Sequence, residues 1–246
     1  MSAATSHRTD EMLISVREAR LTLDRIFLAA GVPDGIIPSV REHALISAAL
    51  GLGGWTMVRD QHREIGDSAR RHISLVAASQ AATAGNASAA TIDGGGQHAW
   101  IAGATILDLA IDAAQSSGDA TVAAHNVLCV DELAVLAALG SRHGVVATAT
   151  ALAHEPGAAT VAVSLARVSR ASHERDPVLH AALHRGLPVG AALWWELHHL
   201  SNRALSPDTV ESRRHAGPII VTADGRVIGR PVDDETDVSL LRQAAH

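Results

Sequence analysis

A chain of 246 residues, 47% of them hydrophobic, is long enough for one sizeable core and too apolar for global disorder. Its formal charge of −6 excludes the surplus of clustered cations that phosphate-backbone binding needs, so no nucleic-acid partner is expected. Its basic residues are all arginine. The absence of lysine excludes a Schiff base, covalent pyridoxal phosphate and a P-loop, and the absence of tyrosine excludes a Tyr-Lys catalytic pair. With aromatics at 2%, the core must be built from alanine, valine and leucine. One cysteine, Cys129, excludes an internal disulfide and fits a reducing compartment. The polar start, Met1 to Asp10, lacks the apolar segment of a signal peptide, and no apolar run reaches the length of a membrane span. The expectation is a cytoplasmic protein with no membrane partner.

In chain order, residues 1–12 read as a flexible tail, followed by a single α/β domain over 13–246. Its helical part covers 13–66, its sheet-containing part 88–230 and a C-terminal helix 235–245. Ser15-Val16-Arg17-Glu18 is a capping box opening a helix with Val16, Ala19, Leu23, Ile26 and Phe27 on one face. A second helix is predicted over Ser39–Leu50, with Glu42 again three residues after a serine. Gly51-Leu52-Gly53-Gly54 makes a turn, and Trp55–Ile65 a third helix. The stretch 77–90 is ambiguous between helix and loop.

From there short apolar strands alternate with helices, which predicts a sheet with helices packed on it. The strands are Ala89–Ile92, Ala120–Ala124, Gly144–Thr150 and Ala159–Leu165. The helices are Ile101–Ala114, Asp131–Leu139, Pro177–His184 and Val189–Leu200. Residues 219–228 carry a hairpin signal around Asp224-Gly225, and Asp237–Ala244 a last helix.

Several residues bear on chemistry. His125-Asn126 directly follows the strand Ala120–Ala124, and ligands collect at the carboxyl ends of strands in open α/β sheets. A histidine there can serve as general acid or base, or simply start a loop. Gly94-Gly95-Gly96 reads as a tight turn or a phosphate cradle, although it is not the Gly-x-Gly-x-x-Gly fingerprint. Glu211 to Gly217 packs Ser212, Arg213, Arg214 and His215 together. That cluster either grips a carboxylate or is a solvated helix end. His180 and His184 have the spacing of a shared metal, but Ala181 stands where the zinc-protease pattern has glutamate, and Glu196 with His199 lacks the remaining ligands of a di-iron site. No metal is expected. Cys129, among Val127, Leu128 and Val130, reads as packing rather than a nucleophile.

Four segments resemble the type-2 malate/L-lactate dehydrogenases. Gly53-Gly54-Trp55-Thr56 stands at that family's Asp-Ser-His-Gly, with Arg59 at its arginine and Trp55 at its histidine. Ile92-Asp93-Gly94-Gly95-Gly96, followed by Ala102–Ala114, is similar to its Asp-Gly-x-x-Gly strand and helix. Ala124-His125-Asn126-Val127-Leu128 is similar to its Ser-Asn-His-Phe-Gly, with the asparagine and histidine in swapped order. Further on, His184-Arg185-Gly186 and Gly190–Leu197 resemble its His-Lys-Gly helix start, arginine replacing lysine. Leu187-Pro188-Val189, Val210–Arg213 and Ala216-Gly217 are similar to a short, uncharacterised branch.

The resemblance spans about residues 12–217. It implies an α/β fold with N-terminal helices and a mixed sheet, and an oxidoreductase of small 2-oxo or 2-hydroxy acids using NAD or NADP. It places His125 and Arg59 as catalytic, Asn126, Arg185, Ser212 and Arg213 on the substrate, and Gly94, Gly95 and Gly96 on the cofactor. A homodimer is the implied assembly. Two alternatives stand beside it: a cofactor-free lyase, hydratase or isomerase of a small carboxylate, and an inert oligomeric binding subunit.

Overall fold

The computed structural model describes residues 11–78, 89–165, 176–205, 220–224 and 226–229. It divides into two compact units, Met1–Ala204 and Leu205–His246.

In the first unit, β1 (Glu11–Ile14) leads into three helices, α1 (Val16–Ala29), α2 (Ile37–Leu50) and α3 (Gly54–Ser68). Glu18 N–H donates to Ser15 Oγ at 3.1 Å, so the serine caps α1 as its sequence signature predicts. All five apolar positions anticipated on the α1 face are buried. Ser39 does not cap α2. That helix starts at Ile37 with Pro38 in its first turn, and Glu42 has a different task. It accepts from Arg20 Nε (2.8 Å), Arg41 Nε (3.2 Å) and Arg142 Nη1 (3.1 Å), tying α1 and α2 to the later helix Leu136–Arg142. Against burial, which raises it, Arg20 and Arg142 hold the Glu42 carboxyl below its usual range.

A five-stranded sheet follows, built from β2 (Ser74–Ala78), β3 (Ala90–His98), β4 (Asp119–Leu128), β5 (Val145–Ala151) and β6 (Ala159–Leu165). Its order is β2-β3-β4-β6-β5, with β3 and β4 parallel and every other pair antiparallel. Alternate residues, among them Val122, Ala124, Val145, Ala147, Val161 and Val163, are buried under α4 (Ala99–Ser117) and α5 (Leu136–Arg142). Small side chains make this packing close: a Cβ on Gly140 of α5 would lie 2.8 Å from Ala147 Cβ. Trp100, fully buried at the start of α4, meets Phe27 edge-to-face at 6.5 Å and joins the sheet layer to the N-terminal helices.

The sequence reading differs from the structure at several elements. The segment predicted as one helix over Asp131–Leu139 is a 3-10 turn, Val130–Val135, running into α5. Strand β2 lies where no strand was anticipated. The helix expected from Val189 starts later, as α7 (Ala191–Ser201), after α6 (Pro177–Arg185) and β7 (Leu187–Gly190). β7 pairs antiparallel with β1, Glu11 opposite Gly190 and Ile14 opposite Leu187, so Glu11 and Met12 belong to a strand.

In the second unit, β8 (Ile220–Val221) and β9 (Val227–Gly229) form the anticipated hairpin, with Thr222 N–H donating to the Arg226 carbonyl at 2.9 Å. The predicted helix Asp237–Ala244 lies outside the described residues. The fold is α/β, with N-terminal helices and a mixed sheet, and none of the helices described is long and apolar enough to cross a membrane.

Candidate active site

The parallel pair β3 and β4 carries the site. β4 runs to Leu128, so His125 and Asn126 lie within the strand rather than after it. Pairing with β6 stops at Ala124, leaving His125 with only β3 beside it, opposite Asp93. The loop joining β5 to β6 turns at this same end of the sheet and supplies Glu155. Its Oε1 lies 2.8 Å from His125 Nδ1. That contact places a proton on Nδ1 and leaves Nε2 as the other ring nitrogen, an arrangement by which a carboxylate can orient an imidazole for proton transfer. The His125 side chain is 38% exposed, so it can exchange protons with a ligand from solution.

Asp93 is the second carboxylate. Its Oδ1 accepts from Gly95 N–H (2.8 Å) and Asn126 Nδ2 (3.1 Å). These donors, the glycine amide first, hold its carboxyl below the usual range. Asn126 reaches it from a left-handed backbone, φ +54°.

The glycine run is not a loop between strand and helix but an irregular stretch inside β3, where the register with β4 shifts between Asp93 and Gln97. A Cβ on Gly95 would stand 2.0 Å from the His72 carbonyl oxygen, and one on Gly94 2.7 Å from Val127 Cγ2. The close approach these glycines permit is to the protein's own backbone and side-chain atoms. Because the Gly95 amide is taken by Asp93 and the Asp93 carboxylate stands beside it, the run does not fit a dinucleotide phosphate.

The arginines lie apart from one another. Arg59, on α3, is bonded to Asp60 at 2.7 Å and pairs with Glu196 of α7 at 3.7 Å. A substrate carboxylate there would compete with two resident ones. Arg185 is exposed at the end of α6, with no ion-pair partner among the described residues. It borders a groove of about 780 Å³ whose other walls include Leu13, Leu50, Pro177, Val178 and Ala181. Neither His125 nor Arg59 lines that groove. Ser212 and Arg213 lie outside the described residues. The structure thus unites His125, Asn126, Gly94 and Gly95 through Asp93, and brings neither Arg59 nor Arg185 to them.

Trp55, at the position of a family histidine, is buried against Trp194 (5.9 Å between ring centroids) and donates its indole N–H to the Pro188 carbonyl at 3.1 Å. It pins α3 to β7, and its indole N–H is too weak an acid to take a histidine's part in proton transfer. Cys129 bonds Gln61 at 3.1 Å, and burial first, then nearby carboxylates, pushes its thiol up, which disfavours the nucleophilic thiolate. Among the described residues no group of three or more metal-ligating side chains occurs.

Sequence reasoning missed Glu155 and the role of Asp93. The signal for Glu155 was its place in a short loop between two strands, at the end of the sheet where His125 emerges. Also missed was Glu132, whose buried carboxylate accepts from Gly53 N–H (2.7 Å) and Trp100 Nε1–H (2.9 Å) and fixes the Gly51–Gly54 turn.

No protein-family model and no curated protein matches the chain. Solved structures do. A candidate malate/lactate dehydrogenase from E. coli is similar at 11% identity and a TM-score of 0.55, covering 83% of this chain and 98% of that one. A dehydrogenase from Sinorhizobium meliloti is similar at 11% identity and a TM-score of 0.52, covering 78% and 99%. The malate dehydrogenase of Entamoeba histolytica is similar at 13% identity and a TM-score of 0.44 over 56% of this chain, which spans only 38% of that enzyme. At these identities the likeness is one of architecture: the chain has a malate/lactate dehydrogenase-like fold.

Proposed function

We propose that this chain is an oxidoreductase-like enzyme of small 2-oxo or 2-hydroxy carboxylic acids, in which His125 exchanges a proton with the substrate oxygen. The observation that carries the reading is the His125–Glu155 contact at the carboxyl end of β4, on a fold like that of the E. coli and Sinorhizobium meliloti proteins. In the reducing direction imidazolium Nε2 gives its proton to the carbonyl oxygen as that atom becomes a hydroxyl. In the oxidising direction it takes the proton back. Glu155 positions the ring. Asn126, fixed by Asp93, offers a polar side chain at the same strand end.

A nicotinamide is the co-substrate the fold kinship supports, and Gly94–Gly96 is not its phosphate site. Arg59 is already matched by Asp60 and Glu196, so it is not the residue to which the substrate carboxylate is assigned. A homodimer belongs to the same reading, supported by leucines left largely exposed, such as Leu13 and Leu183.

The test is a thermal-stability titration with NADH and NADPH, alone and with a panel of 2-oxo acids, followed by assay of the stabilising combination. Saturable stabilisation by nicotinamide, with its oxidation in the presence of one acid, is the expected result, since a ligand bound to the native state must raise its stability. Stabilisation by acids alone would replace the oxidoreductase reading with cofactor-free acid–base chemistry at the same histidine. The observation favouring that second reading is the Asp93 carboxylate within the glycine run.

A further inference from the structure

Helix α6 carries His180 and His184 one turn apart, both exposed. Their Nε2 atoms lie 3.1 Å from each other, while the ring centroids are 4.4 Å apart and the planes tilted by 53°. The rings therefore fan out from their Nε2 ends, and the two Nε2 atoms converge on one side of the helix. A metal bound to both at a metal–nitrogen distance of about 2.05 Å would subtend an angle of about 98° at a 3.1 Å nitrogen separation. That angle falls between the ~90° of cis square-planar or octahedral ligands and the ~109° of tetrahedral ones. The same geometry would put the ring centroids about 4.8 Å apart, within a few tenths of an ångström of the 4.4 Å seen.

We infer that His180 and His184 form a two-nitrogen chelating site for a borderline divalent transition metal, Cu²⁺, Ni²⁺ or Zn²⁺. This departs from the expectation of no metal, which for this pair rested on the missing glutamate of a protease motif rather than on ligand geometry. To bind, each ring presents Nε2 as a lone pair and carries its proton on Nδ1, so the ring that now donates across the pair moves its proton to the other nitrogen. Imidazole selects such ions over Mg²⁺ and Ca²⁺, and the Irving–Williams order places Cu²⁺ first. Among the described residues no third ligand joins the pair, so the site as described is a two-ligand one.

Titration calorimetry of the full chain with Cu²⁺ and with Zn²⁺ at neutral pH tests this, combined with electron paramagnetic resonance of the Cu²⁺ form. The chain has 15 histidines, so the decisive comparison is with H180Q/L183H, which keeps that number but makes the pair adjacent on the helix. Leu183 is 59% exposed, so the exchange does not disturb the core. One equivalent bound about tenfold more weakly in this variant and in H184Q, with a two-nitrogen hyperfine pattern only in the wild type, is the expected result. Equal binding by wild type and H180Q/L183H, or a one-nitrogen spectrum in the wild type, would overturn the assignment. Circular dichroism of each variant establishes that the helix is retained.

Discussion

Two sets of histidines show what burial does to the same side chain. His43 and His98 lie inside the joint between the N-terminal helices and the sheet, and each has a buried Nε2 with no hydrogen-bond partner among the described residues. Burial is the first cause that pushes both down, from 6.5 to about 4. His43 Nδ1 lies 2.8 Å from the Ser39 carbonyl and so carries a proton, while His98 Nδ1 accepts from Trp100 N–H at 3.1 Å and so does not. Both are neutral structural groups near pH 7. His125, at the strand end, is half-buried and oriented by Glu155. The interior holds histidine by excluding its charge, and the sheet end holds it exposed and oriented by a carboxylate.

Acid should break this contrast first. Because each buried histidine has a folded pKa of about 4, below the 6.5 of an open one, the unfolded chain takes up the protons earlier as acid is added. Stability should be complete above about pH 6.5 and fall as pH drops towards 4, by up to roughly 3 kcal/mol for each histidine. Urea unfolding of wild type and H43L across this range measures it, and a flatter pH profile in the variant is the expected outcome. Trp100→Ala should follow, at about 4 kcal/mol, since it empties the contact with Phe27 and removes one of two donors to buried Glu132. Denaturant midpoints report it. Next comes Glu42→Gln, at roughly 2 kcal/mol, because it leaves Arg20, Arg41 and Arg142 without their shared carboxylate while that carboxylate is mostly buried. Smallest is Glu155→Gln. At the exposed strand end it should change stability by less than about 0.5 kcal/mol while lowering turnover and shifting its pH profile.

The same contrast explains what was legible in the chain. The α1 face from Val16 to Phe27 could be read because a buried helix writes its period into consecutive residues. The apolar cores of β4, β5 and β6 were legible for a related reason. Strand β2 was not, since all five of its residues are exposed and no face is marked by hydrophobicity. The β1–β7 pair was hidden because its partners lie far apart in sequence and its register depends on tertiary packing. In the candidate site, His125 and Asn126 could be found from their place after an apolar run. Glu155 is tied to His125 by a loop that only the sheet order brings near. Arg59 matched a pattern, but its partners Asp60 and Glu196 became visible only with the helices in place.

The most direct test of the central claim is the turnover of the best 2-oxo acid by wild type and His125→Gln, with unfolding midpoints measured alongside. A loss of about a hundredfold or more with an unchanged midpoint is the predicted result, the effect of removing a general acid–base group from a site that remains folded. Equal turnover by the two proteins would contradict the account and take the chemistry away from the end of β4.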